Sequence, residues 1–519
     1  MRTRDQNSSD TSSLLKEGHT CWKLSNATRA SLLVDGEQYF AVLREALLQA
    51  REQILIAGWD FDSRILLPPP KNCGPSDELA CAPLELGELL GYLLRTRPGL
   101  RIDVVRWDYH WLYRSDREAD TREKLTRLGV HFHEHDGHPV TGCVHYKVVV
   151  IDDVLAFCGG MDLTHNRWDT CSHDPEDANR CDCTGSYMPV HDTQLCVAGP
   201  VAAHLGNYLR DQWPSPTDAP AQPKLHDAFW PKSLPVDFAN IRTGICRTQP
   251  NTVGDNVREI EAFYLAAIGA TQRTMYIENQ YFTSTRIAQA IADRCRAEPA
   301  LQGLLVGMER PKTHIELHTM GYGRRQFHEV LNEAGVNQRV PLVAATSGGI
   351  GINLHSKTAI FDDRWLTVGS ANLNRRSMGF DVECNLVLEA TTDTHRRAMK
   401  RLLVRLIAEH AGMTVEQAEA AIKRQGLARM PDLASGSRRL ELLQPLNPEP
   451  IFGPVLAPFF DRDELWMPPP RPAAQRQRVW YAPVTLVAVA SLLLLGEGVI
   501  KEIPSLAQIQ QQLERMLDG

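Results

Sequence analysis

Residues 145–152 read HYKVVVID, and residues 355–362 read HSKTAIFD. In each stretch a His is followed by a Lys two positions on and an Asp seven positions on. Gly159-Gly160 begins fourteen residues after His145, and Gly369-Ser370 begins fourteen after His355. Asp162 and Asn372 lie three residues past the first member of each pair. Six positions thus keep their spacing across a separation of 210 residues. Packing alone does not copy a pattern of polar residues. Two related halves, each bringing half of one active site, account for it.

Alternation along a strand sets His145 and Lys147 on one face, and likewise His355 and Lys357. Val148 to Ile151 and Thr358 to Phe361 continue as mainly apolar runs, which suit a strand inside a sheet. Burying an imidazole and an ammonium there costs desolvation, and an anionic substrate pairing with both offsets it. Gly159-Gly160 and Gly369-Ser370 are small enough to let backbone approach a ligand, so Gly160 is read as a substrate-binding position.

The doubled HxK(x)4D pattern, each copy followed by a Gly-Gly or Gly-Ser turn and an Asp or Asn, resembles the phospholipase D superfamily. The second copy continues as GSANLNRRSMGFDVECN, and ILIAGWDFD at 54–62 and MYIENQYFT at 275–283 resemble the strands that open each half in that family. The likeness covers roughly residues 30–430. It implies an α/β fold of two similar halves, each a mixed β-sheet flanked by helices, related by a pseudo-twofold and sharing one active site.

The resemblance also implies roles. His145 is the nucleophile on phosphorus, and His355 the general acid and then base; the sequence by itself does not decide which is which. Lys147 and Lys357 stabilise phosphoryl charge with Asn372 and Ser370. No metal or other cofactor is called for. Each imidazole needs an orienting carboxylate on its other nitrogen, and Asp192 and Asp381 are the candidates, with Glu383 a further one. Asp152 and Asp362 fall at strand ends, where they hold loops. Asp162 stands where the second half has Asn372, a departure that weakens any phosphate contact for it.

The formal net charge is −7, with no long Lys/Arg run, which disfavours a general nucleic-acid binder. The start, MRTRDQNSSDTSSLL, lacks the apolar core of a signal peptide. Of twelve cysteines, Cys143, Cys158, Cys196 and Cys384 lie in apolar strand-like runs and read as small core residues in a reducing compartment. Cys171, His173, Cys181 and Cys183 form a weak match to a zinc pattern; a polar loop is the default reading.

Residues 1–29 read as a loose N-terminus, 30–213 as the first half, 214–225 as a linker with four prolines, and 226–430 as the second half. Residues 431–478 are Pro-rich and read as largely extended. Aligning HDTQLCVAG with FDVECNLVL matches Asp192 to Asp381 and leaves the first half about twenty-one residues longer, near 169–189, a natural place for lid or specificity residues. VWYAPVTLVAVASLLLL at 479–495 carries no charge, and Trp480, Tyr481 and preceding arginines resemble interfacial anchors. Residues 479–500 are therefore read as a membrane anchor, with 501–519 as a tail and the catalytic body on the cytoplasmic face of the membrane. The expected activity is hydrolysis of glycerophospholipids to phosphatidic acid. A cardiolipin-synthase-like transfer is the alternative, and a nuclease or a membrane-tethered lipid-binding module is less favoured.

Overall fold

The computed structural model describes residues 13–445, apart from residues 72, 75, 109–119, 136–137, 139–141, 214–217, 225–228, 252–255, 312–313 and 435, together with Asp461. β-Branched and apolar runs form the strands. In the first half these are β1 (Lys23–Val34), β2 (Gln53–Gly58), β3 (Arg101–Trp107), β4 (His131–His135), β5 (Val148–Ile151), β6 (Leu155–Gly159) and β7 (Thr193–Ala198). In the second they are β8 (Phe238–Gln249), β9 (Thr274–Asn279), β10 (Gln302–Gly307), β11 (Leu342–Ser347), β12 (Lys357–Phe361), β13 (Trp365–Gly369) and β14 (Glu383–Glu389).

Pairing repeats from half to half. The first runs β4-β3-β2-β5-β6-β7-β1, parallel from β4 to β2 and antiparallel beyond. The second runs β11-β10-β9-β12-β13-β14-β8 with the same pattern of directions. β1 and β8 pair antiparallel, so the two expected sheets are one continuous sheet. A strand over Arg438–Leu442 (β15) pairs with β11. Turn chemistry repeats as well: Asp152-Asp153 and Asp362-Asp363 carry φ of 50° to 54° in the hairpin of each half. Aspartate tolerates that left-handed region better than most residues.

Helices lie against the sheet: Asp35–Leu47 after β1 and Glu259–Ala270 after β8, the helix that follows the opening strand of each half. The long helix Asp393–Ala411 starts at Thr392, whose hydroxyl accepts from the His395 N–H at 3.2 Å, and ends at Gly412 with φ of 64°. One apolar cluster draws on both halves, including Leu195, Val197, Tyr208, Ile245, Leu386 and Leu406.

Three sequence boundaries move. Residues 1–12 lie outside the described region, but Leu15 is buried and β1 begins at Lys23, so the stretch read as loose joins the sheet well before residue 30. The second half extends past 430 through β15. Asp461, inside the stretch read as extended, is buried against the body, with Thr283 Oγ1 donating to it at 2.6 Å. No helix among the described residues is long and apolar enough to cross a membrane. The candidate anchor at 479–500 lies outside the described residues.

Candidate active site

The histidine-bearing segments leave their own half before the strand starts. β5 begins at Val148 and β12 at Lys357, so His145 and His355 sit on the lead-in rather than within the strand. The His145 N–H donates to Val382 O at 2.8 Å, and the His355 N–H donates to His191 O at 2.8 Å. Each histidine is thereby stitched to the other half of the chain.

The side chains cross over in the same way. His145 Nδ1 lies 3.1 Å from both carboxylate oxygens of Glu383. His355 Nδ1 lies 2.8 Å from Asp192 Oδ2. A carboxylate on Nδ1 holds the proton there and leaves Nε2 as the nitrogen for chemistry. Both imidazoles keep a little exposure, 15% and 11% of the side chain, while both carboxylates have none.

Two lysines are buried beside them. Lys147 Nζ donates to His145 O at 2.7 Å and lies 3.1 Å from Asp162 Oδ2. Lys357 Nζ donates to His355 O and, at 3.2 Å, to Gln280 Oε1. Burial pulls Lys357 down to about 7, with Lys147 adding to the effect and Asp192 opposing it. Burial likewise lifts Asp192 to about 6, against the pull of Lys357. An arriving anion would therefore restore the lysine's charge.

Known proteins resemble this chain in sequence and in fold. The family model described as "Cardiolipin synthase, PLD-like domain" matches residues 264–403, the span that holds the second motif. Cardiolipin synthase B of Salmonella typhi is 24% identical over 387 residues, covering 72% of this chain and 78% of that protein. Phospholipase D2 of Bos taurus is 23% identical over 462 residues, covering 68% of this chain and 48% of that protein. The crystal structure of phosphatidylserine synthase from Haemophilus influenzae shares the fold, with a TM-score of 0.51 at 14% identity over 83% of this chain and 92% of that one.

The chain belongs to the phospholipase D superfamily.

Within this superfamily fold the remaining candidates find other places. Asp381 faces Arg376, with contacts of 2.7 and 2.9 Å, and accepts the Cys143 N–H at 3.0 Å; Glu383 takes the position beside His145. The turns explain the shift. The Gly160 N–H donates to Thr193 O and the Ser370 N–H to Cys384 O, so Asp192 corresponds to Glu383 and not to Asp381. Asp192 is 47 residues after His145 and Glu383 is 28 after His355, which trims the first-half surplus to nineteen.

Ser370 is fully buried and its hydroxyl donates to Glu383 Oε2 at 2.5 Å, so it steadies the orienting carboxylate instead of facing a ligand. Gly160 is small for a different reason than ligand approach: an added Cβ would stand 2.2 Å from Asp192 Oδ1. Asn372 is buried with its Oδ1 unpartnered. Asp152 accepts backbone N–H groups of Arg51, Glu52 and Gln53, and Asp362 those of Gln272, Arg273 and Thr274. Cys171, Cys181 and Cys183 are exposed while His173 is fully buried, so that weak zinc pattern does not assemble. Sequence reasoning missed Gln280 and gave Glu383 only a secondary place. Gln280 lies in the quoted stretch MYIENQYFT, and Glu383 two residues past Asp381.

Proposed function

We propose that this chain is a phospholipase D-type enzyme that hydrolyses glycerophospholipids to phosphatidic acid and a free headgroup through a phosphohistidine. The observation that carries the reading is the crossed pair of imidazole–carboxylate contacts, His145 with Glu383 and His355 with Asp192, flanked by two buried lysines. His145 Nε2 attacks phosphorus while the bond to the headgroup oxygen breaks, and His355 gives that oxygen its proton. His355 then takes a proton from water, whose oxygen displaces the histidine and releases phosphatidic acid. Lys147, Lys357 and the amide of Asn372 stabilise the phosphoryl oxygens.

A second reading has its own support. The cardiolipin synthase B relative is matched over 78% of its length, against 48% for the bovine phospholipase D2. In that reading a lipid alcohol replaces water in the second step, and the product is a phosphatidyl transfer product.

The deciding experiment is product analysis of purified protein with mixed phospholipids, with and without added ethanol or glycerol. Phosphatidic acid as the product without added alcohol, with phosphatidylethanol replacing part of it when ethanol competes with water for the phosphohistidine, supports the hydrolase. Cardiolipin formed from phosphatidylglycerol without added alcohol supports the transferase. His145→Ala and His355→Ala are each expected to abolish both products, and substantial turnover in either variant overturns the shared-site mechanism.

A further inference from the structure

Next to His355, but outside the groups assigned to phosphodiester chemistry, a second set of titratable side chains is packed into the interior. Asp35, His173, His191 and Glu409 are all buried, and one possible ligand atom from each lies within 4.8 Å of the others. They come from four places: the start of the helix Asp35–Leu47, the inserted loop of the first half, the residue before Asp192, and the last turn of the helix Asp393–Ala411.

The inward atoms have the spacing of a coordination shell. His191 Nδ1 is 2.9 Å from Glu409 Oε1 and 3.1 Å from Asp35 Oδ1. His173 Nε2 is 3.3 Å from Glu409 Oε1 and 3.6 Å from Asp35 Oδ2. Four ligands at about 2.0–2.1 Å in a tetrahedron place neighbouring donors about 3.3 Å apart.

The outward nitrogens are already committed. His173 Nδ1 is 3.0 Å from Asp169 Oδ2, and His191 Nε2 is 3.0 Å from Glu278 Oε2. Carboxylates on the far nitrogens keep the protons there and turn the near lone pairs inward, as in metal-bound histidines. These outer carboxylates are satisfied in turn. Asp169 accepts from Arg180 and the Val190 N–H, and Glu278 from Tyr276 and Ser356, with His410 beside it.

The leftover atoms are the inner ones. Asp35 Oδ2 and His191 Nδ1 make no hydrogen bond despite complete burial. A purely protonic network would need an aligned acceptor for one and a donor for the other, and a buried polar atom without a partner costs about 1–3 kcal/mol. A cation satisfies both. Asp35 and His173 also hold φ of 62° and 47°, a region that side-chain-bearing residues enter at a cost.

We propose that Asp35, His173, His191 and Glu409 bind one divalent transition-metal ion, zinc foremost. Two imidazoles and two carboxylates suit zinc better than magnesium or calcium, which favour shells made of oxygen. Four buried protein ligands mark a structural ion, not one that binds substrate. It pins the inserted loop and the helix Asp393–Ala411 to His191, whose backbone oxygen holds the His355 N–H.

The test uses full-length protein purified without chelator from cells supplied with zinc, manganese and iron. Elemental analysis is expected to give about one equivalent per chain, falling below about a tenth in His173→Gln/Glu409→Gln. Stripping the wild-type protein and returning zinc is expected to raise its melting temperature by several degrees. A wild-type protein with less than about a tenth of an equivalent, whose melting temperature does not rise with added zinc, manganese(II) or iron(II), overturns the proposal. Metal that survives in the double variant but disappears in Cys171→Ser/Cys181→Ser/Cys183→Ser overturns it too, by moving the ion to the exposed thiols. If the double variant does not fold, the wild-type content and the re-addition experiment decide in either direction.

Discussion

Asp381 and Glu383 are two residues apart, and only one is placed to orient an imidazole. Glu383→Gln is expected to lower turnover about 100- to 10,000-fold, because the amide no longer holds the correct His145 tautomer. Asp381→Asn is expected to cost about 1–3 kcal/mol of stability by loosening Arg376, with a smaller effect on turnover. Steady-state kinetics and thermal unfolding on both variants check the pair, and a larger kinetic loss for Asp381→Asn sinks the assignment. A second prediction concerns Lys357, held near 7 by burial. Its ammonium is present below that pH and lost above it, and the phosphoryl anion needs the ammonium. The free-enzyme profile, kcat/KM against pH, is therefore expected to fall as pH rises through about 7. The profile of kcat should fall at higher pH, since bound anion favours the charged form. A kcat/KM that is flat from pH 6 to 9 contradicts this.

At the scale of elements, the turn after β6 is built around the carboxylate of the next strand. Gly160→Ala places a methyl 2.2 Å from Asp192 Oδ1, and something must move. The carboxylate can retreat only by leaving His355, so turnover is expected to fall at least about 100-fold, with a stability cost of about 1–3 kcal/mol from overpacking. Wild-type activity in Gly160→Ala, measured beside its melting temperature, refutes that account. The strand period explains why the sequence misled here. Residues two apart share a face of a strand, so alternation treats Asp381 and Glu383 alike. Only the turn-to-strand bonds, Gly160 to Thr193 and Ser370 to Cys384, set the register.

At the scale of the molecule, the body includes β15 and Asp461, so a cut near residue 440 would remove a strand and the partner of Thr283. The described residues of the body reach Asp461, and a cut after Leu465 lies beyond them. Truncation after Leu465 is expected to leave a folded protein that hydrolyses a soluble short-chain phospholipid at an undiminished rate. If residues 479–500 anchor the protein, the truncated form no longer sediments with vesicles and loses activity on bilayers. Full-length protein that stays in the supernatant with vesicles refutes the anchor.

The two His-Lys motifs, their turns and the mixed α/β class were legible in the chain because each is local. A strand, a hairpin or a spaced pair needs only neighbours a few residues away. The repeat also told that two halves exist, since identical spacing in both copies is independent of how they meet. What the sequence left undecided involves partners across the molecule. His145 reaches Glu383 and His355 reaches Asp192 because the lead-in to each strand bonds to the other half. β1 and β8 fuse the halves into one sheet, and His173, read with nearby cysteines, turns inward to Asp35 and Glu409. Backbone hydrogen bonding and burial choose those partners, and neither is written in residue spacing.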